Sequence, residues 1–147
     1  MAPHEPTHPI ARPIAVDRRS DPEVRKRMSG PAARSFFNIA DLWKLSVEEG
    51  RGLFGWPAIS TYHKYKAGDV GTLSYDALTR VSLVLGMYKA LNILYPNPNL
   101  ANRWVKLPNS NVLFGGKTPV EFMTADGGID AMFKVRRLLD ARRGGWN

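Results

Sequence analysis

The chain has 147 residues, 44% of them apolar and 10% aromatic, with a formal charge of +8 and no cysteine. Such a length holds one ordinary domain or two small ones with enough apolar material for a core. The missing cysteine excludes disulfides and thiolate metal sites, and with three histidines, two of them in the first ten residues, zinc and cysteine-based catalysis are out.

No apolar run reaches the length of a membrane span, and the start MAPHEPTHPIARPIA lacks the unbroken apolar stretch of a secretory signal. A cytoplasmic protein with no membrane partner is expected. Residues 1–34 carry seven basic and four acidic side chains, 35–69 four and four, 70–133 five and four, and 134–147 five and one. The excess lies at the two ends, which suits an anionic partner met by terminal segments or serves solubility alone.

Residues 1–16 are rich in Pro and His without periodicity and read as a disordered arm. Ser20, Asp21, Pro22 and Glu23 have the order of a helix start, so DPEVRKRM is expected to form a short basic helix that Gly30 and Pro31 end. From Phe36 the pattern is helical, with Phe36, Ile39, Ala40 and Trp43 at core-facing spacing. Ser46 caps VEEGRGLF with Glu49 at the return position, Gly55 to Pro57 break the chain, and AISTYHKYKA forms a third helix stopped by Gly68. Three short helices with a Gly turn before the third make a helix-turn-helix candidate.

Ser74 is expected to cap a long helix through about Tyr95, with Leu78, Val81, Leu85 and Tyr88 inward and Leu83, Val84, Met87 and Leu91 widening the apolar stripe. A stripe that wide needs cover on more than one side, from a second domain or from another subunit, and it suggests a homodimer. YPNPN ends the helix, and LANRWVKL follows as a short helix or turn. GGKT, Gly115 to Thr118, has the look of a phosphate loop, but the first glycine of that motif is replaced by Asn111 and the polar LPNSN precedes it where a strand is required. Thr118 as N-cap, Pro119 at the first helical position and Glu121 closing the box describe the stretch better. A last helix runs from about Gly128 to Arg142, and with no alternating β-rich run the chain reads as all-α.

His63 is the only histidine outside the arm, and no nucleophile or orienting carboxylate is placed beside it by the sequence, so no enzyme, cofactor or metal is expected. In AISTYHKYKA, Ile59, Tyr62 and Tyr65 or Lys66 fall inward, while Ser60, Thr61, His63 and Lys64 point outward. The outer set suits phosphate and base-edge contacts, and equally an ordinary solvated face. Arg18, Arg19, Arg25, Lys26 and Arg27 are candidates for added phosphate contacts. At the other end Arg136, Arg137, Arg142 and Arg143 precede two glycines and Trp146, a composition fitted to a partner's pocket or to folding back over its own core.

The stretches LFGWPAISTYHKYKAG, NRWVKLPNSNVLFGGKTPVEFM and VRRLLDARRGGW resemble the Xre-type antitoxins with a C-terminal MbcA/ParS-like toxin-binding domain, with Trp104, Pro108, Asn109, Leu113, Gly116 and Pro119 at the family's spacing. One departure is that Gly55 to Thr61 is a residue longer than the usual Xre turn. After the basic, partly disordered arm at 1–34, the resemblance, which spans roughly Phe36 to Asn147, implies an Xre-like helix-turn-helix DNA-binding domain at 35–72 and a helical dimerisation and toxin-binding domain at 73–147. It implies an antitoxin that occludes the active site of an NAD-degrading RES-domain toxin and represses its own operon, with NAD belonging to the partner. Toxin contacts would fall on Arg136, Arg137, Arg142, Arg143, Gly145 and Trp146, and operator contacts on Ser60, Thr61, His63, Lys64 and Lys66. The alternative is a stand-alone helix-turn-helix regulator with a C-terminal assembly domain.

Overall fold

The computed structural model describes residues 16–125 and 128–144, and among them every regular element is helical. After the single turn α1 (Val16–Arg19), Asp21 caps α2 (Pro22–Leu42), its carboxylate accepting from the Glu23 amide at 3.0 Å. The expected stop at Gly30 and Pro31 does not occur: α2 runs through both for 21 residues. Pro31 removes one helical hydrogen bond, at a cost of roughly 3 kcal/mol. Its ring lies on the exposed face, while Ala32, Ala33, Phe36, Phe37, Ile39 and Trp43 behind it are buried. Each large side chain among these contributes roughly 1.5–3 kcal/mol, so burial outweighs the local break. The boundary expected at residue 34 therefore lies inside a helix.

Ser46 and Glu49 form the expected capping box at the start of α3 (Val47–Phe54), with amide-to-oxygen distances of 3.1 and 2.8 Å. Gly55, left-handed at φ 100°, ends it, and α4 (Ile59–Lys66) follows a four-residue turn. Ser74 caps α5 (Tyr75–Leu94), the central helix, which packs against α2, α3 and α8. By length and composition α5 is apolar enough to cross a membrane, contrary to the reading of the sequence. Leu78, Val81, Leu83, Val84, Leu85, Met87 and Leu91 are all buried inside the protein. Of the two covers the sequence left open, a second domain or another subunit, the structure supplies the first from the chain's own α2 and α8, so the apolar stripe no longer argues for a dimer.

Beyond α5, α6 (Pro98–Arg103) leads into a 3-10 turn at Trp104–Lys106, and a second 3-10 turn spans Val112–Phe114. Thr118 and Glu121 make the capping box of α7 (Pro119–Thr124) at 2.9 and 3.1 Å. The chain then enters α8 (Gly128–Gly144), which buries Ala131, Met132, Val135 and Leu139. One contiguous apolar cluster joins residues of α2, α3, α4, α5, α7 and α8.

Candidate functional site

Two surfaces carry the residues that the sequence singled out. The first is α3, its turn and α4. Arg51 organises the turn: its Nε donates to the Pro57 carbonyl at 3.0 Å, its guanidinium lies 5.6 Å from the Trp56 ring, and Nη1 pairs with Glu48 at 2.7 Å. The helix α4 is held by a single buried residue, Tyr62, whose ring meets those of Phe37 and Phe54 at 5.1 and 6.4 Å. Gly50 permits that approach, since a Cβ there would stand 1.9 Å from the Tyr62 hydroxyl.

Tyr65, half-buried as the sequence expects, adds a second ring 5.3 Å from that of Phe54, and most of the rest of α4 faces water. Ser60, His63, Lys64 and Lys66 are exposed, and Thr61 is half-buried instead of outward. Ile59, expected inward, is 52% exposed, because the helix starts beyond the edge of the aromatic cluster. Of the basic residues before it, Arg19 is buried over the Tyr75 ring at 5.6 Å, and Arg25 Nη1 donates to the Arg19 and Ser20 carbonyls at 3.3 and 3.1 Å. Those two serve the fold, while Arg18, Lys26 and Arg27 stay exposed. Arg34, which the sequence reading passed over as part of the arm, is exposed and shares with Lys66 a cleft of about 280 Å³ between α2 and α4. A continuous α2 would have revealed it, because positions 27, 31, 34, 38 and 41 fall on one outer face. Asp41 lines the same cleft.

The second surface is the region from α6 to α8. The loop before α7 is fixed by its own polar side chains: Asn109 Oδ1 accepts from the Asn111 amide at 2.8 Å, and Asn111 Oδ1 from the Leu113 amide at 2.9 Å. Phe114 sits beneath, against Trp104 and Phe122 with ring centroids at 5.9 and 5.4 Å. The braced loop presents Val112 at 93% exposure, an apolar tip that no periodicity would have marked. On α8 the four arginines separate. Arg136 lies across α5 over Gly86, where a Cβ would stand 1.6 Å from its Nη1, and its Nε pairs with Asp140 at 3.0 Å. Arg137, Arg142 and Arg143 are exposed, and Phe133 and Lys134 continue that outer face. Gly145 and Trp146 lie outside the described residues.

Residues 90–145, from the last turn of α5 through α8, match the family described as antitoxin Xre/MbcA/ParS C-terminal toxin-binding domain. Residues 90–145 belong to this antitoxin domain family. Over 111 residues, 76% of its length, the chain is 39% identical to the uncharacterized protein y4oB of Sinorhizobium fredii, of which it covers 83%. No solved structure matches it. The braced loop, the α7 capping box and the exposed basic face of α8 are therefore parts of a toxin-binding domain of a toxin–antitoxin system. Among the described residues no group of three or more His, Asp or Glu side chains is placed to hold a metal ion.

Proposed function

We propose that this antitoxin silences an NAD-degrading RES-domain toxin by covering its active site with the end of α8 and the residues that follow, and that it represses its own operon through α3 and α4. The observation that carries the first half is the match of residues 90–145 to a toxin-binding domain whose last helix leaves Arg137, Arg142 and Arg143 in solvent. Guanidiniums and a terminal aromatic, Trp146, are the groups that dominate interface energies. Arg136 is a poorer contact than its neighbours, because α5 and Asp140 already engage it. The chain contributes no reaction of its own; NAD belongs to the toxin, and the pair acts in the cytoplasm.

The second half rests on two eight-residue helices joined by a stapled four-residue turn, with Ser60, His63, Lys64 and Lys66 facing water. Such a unit lays its second helix in the major groove, and Arg34 beside Lys66 adds a phosphate contact. A homodimer would let two such units meet paired half-sites.

Co-expression with the product of the adjacent open reading frame, following growth and intracellular NAD, tests the toxin half. The full-length chain is expected to rescue growth and NAD, and the chain lacking 144–147 to fail. A harmless neighbour, or equal rescue by both forms, overturns it. Binding of the full chain to its own promoter, weakened uniformly across sequences by Lys64→Ala and Lys66→Ala with a shallower salt dependence, tests the operator half.

A further inference from the structure

The C-terminal end of α2 and the segment 99–107 enclose a groove of about 430 Å³, lined by Leu42, Trp43, Lys44, Asn102, Arg103 and Leu107 among others. Its lining holds three cations and no carboxylate. Lys106 is partly neutralised by Glu49 at 3.3 Å and donates to the Lys44 carbonyl at 2.7 Å, which leaves the exposed Lys44 and Arg103 as the charges on offer. Leu42 and Leu107, each 42% exposed, supply apolar surface between them.

Two further observations single this groove out. Of the buried side-chain polar atoms without a hydrogen-bond partner among the described residues, Trp43 Nε1 and Asn102 Oδ1 both belong to its walls, and Trp43 is only 1% exposed. They are one donor and one acceptor, both closed to solvent in the groove's walls, and a buried polar atom left unpaired is costly. Lys44 is the second oddity. The Leu45 amide donates to the Ala40 carbonyl at 2.9 Å and the Lys44 amide to that of Asp41 at 3.1 Å, which closes a Schellman motif with Lys44 in the left-handed position at φ 54°. Glycine is the favoured residue there, so a lysine holds the place at a conformational cost.

We propose that this groove docks an extended acidic segment of the toxin, its carboxylates on Lys44 and Arg103 and an apolar side chain between Leu42 and Leu107. The inference rests on the toxin-binding reading and adds a grip that the domain at 90–145 does not itself contain, since Leu42, Trp43 and Lys44 come from α2 and its end. The occupant is the toxin because the other wall, Asn102 to Leu107, belongs to the toxin-binding domain. Its acidity follows from the uncompensated cations.

The test is calorimetric titration of the full-length chain, Lys44→Gly and Arg103→Glu with the purified product of the adjacent open reading frame, beside thermal melts of each variant. Lys44→Gly is expected to raise the melting temperature, by relieving the left-handed backbone, while weakening toxin binding by roughly tenfold. If Lys44 had only a structural role, glycine would raise the melting temperature and leave affinity untouched. Arg103→Glu, at an exposed position, is expected to melt with the unaltered chain and to bind at least as weakly as Lys44→Gly. Affinities of both variants within twofold of the unaltered chain overturn the groove and leave the toxin-binding reading intact. No complex with the unaltered chain removes that reading, and the groove's occupant with it.

Discussion

Ser29 is completely buried near the middle of α2. Its hydroxyl donates to the Arg25 carbonyl and accepts from the Leu73 amide at 2.8 Å, joining positions 44 residues apart. Replacing it by Ala strands the Leu73 N–H in the core, and a buried donor without a partner costs about 1–3 kcal/mol. Ser29→Ala is therefore expected to lower the unfolding free energy by that amount in urea titration, although only one oxygen is removed. Tyr62 is the corresponding residue for pH. Burial, with the Asp41 carboxylate adding to it, pushes its phenol up to about 12 from the usual 10. The folded state thus favours the neutral phenol, whose contribution is fully present below pH 10 and is lost as pH rises toward 12. Ultraviolet titration is expected to show a late phenol ionisation that Tyr62→Phe abolishes.

Among the elements, helix starts were the most legible. Ser46 with Glu49 and Thr118 with Glu121 are local signatures, decided within one turn, and both boxes form where the sequence has them. Thr118→Ala is expected to cost about 1 kcal/mol in thermal melts, the usual worth of a cap. The Thr118 amide and hydroxyl, with Lys117 adding to them, hold the Glu121 carboxyl below its ordinary range. Its support for α7 is thus present at neutral pH and is lost as pH falls through that lowered value, so melts of Glu121→Ala and of the unaltered chain should converge in acid. Features decided by distant residues were not legible. Gly30 and Pro31 read as a stop because their breaking tendency is local, whereas the burial that overrides it depends on α5. Arg136 looked like its neighbours because nothing in the sequence announces that α8 crosses α5 at Gly86. The outward set on α4 was legible save Thr61, and so were Tyr62 and Tyr65 as its inward side, whereas Ile59, at the first position of an eight-residue helix, is exposed despite its inward spacing.

At the scale of the whole molecule, the unit proposed to meet DNA and the domain that meets the toxin are not separately built. The helix α3 touches α5 and α7, and the small Gly52 brings it against Thr124, where a Cβ would stand 2.7 Å from Cγ2. The aromatic cluster of Phe36, Phe37, Phe54 and Tyr62 continues into the same core as Leu78, Val84, Met123 and Leu139. A fragment ending at residue 72 would therefore expose the face of α2 that α5 covers, and one beginning at 73 would uncover the other side of α5. Each piece would thus leave in water apolar surface that the other covers in the whole chain. The full chain is accordingly expected to unfold in one step, with Trp fluorescence and helical circular dichroism superimposing in urea, and the fragments 1–72 and 73–147 to show no cooperative transition alone. Two resolved transitions, or a fragment that melts by itself, would show that the contacts between α3, α5 and α7 do not couple the two surfaces. A single transition means that a toxin gripping α8 stabilises the body on which α4 stands, since any partner that binds only the folded state raises its stability by mass action.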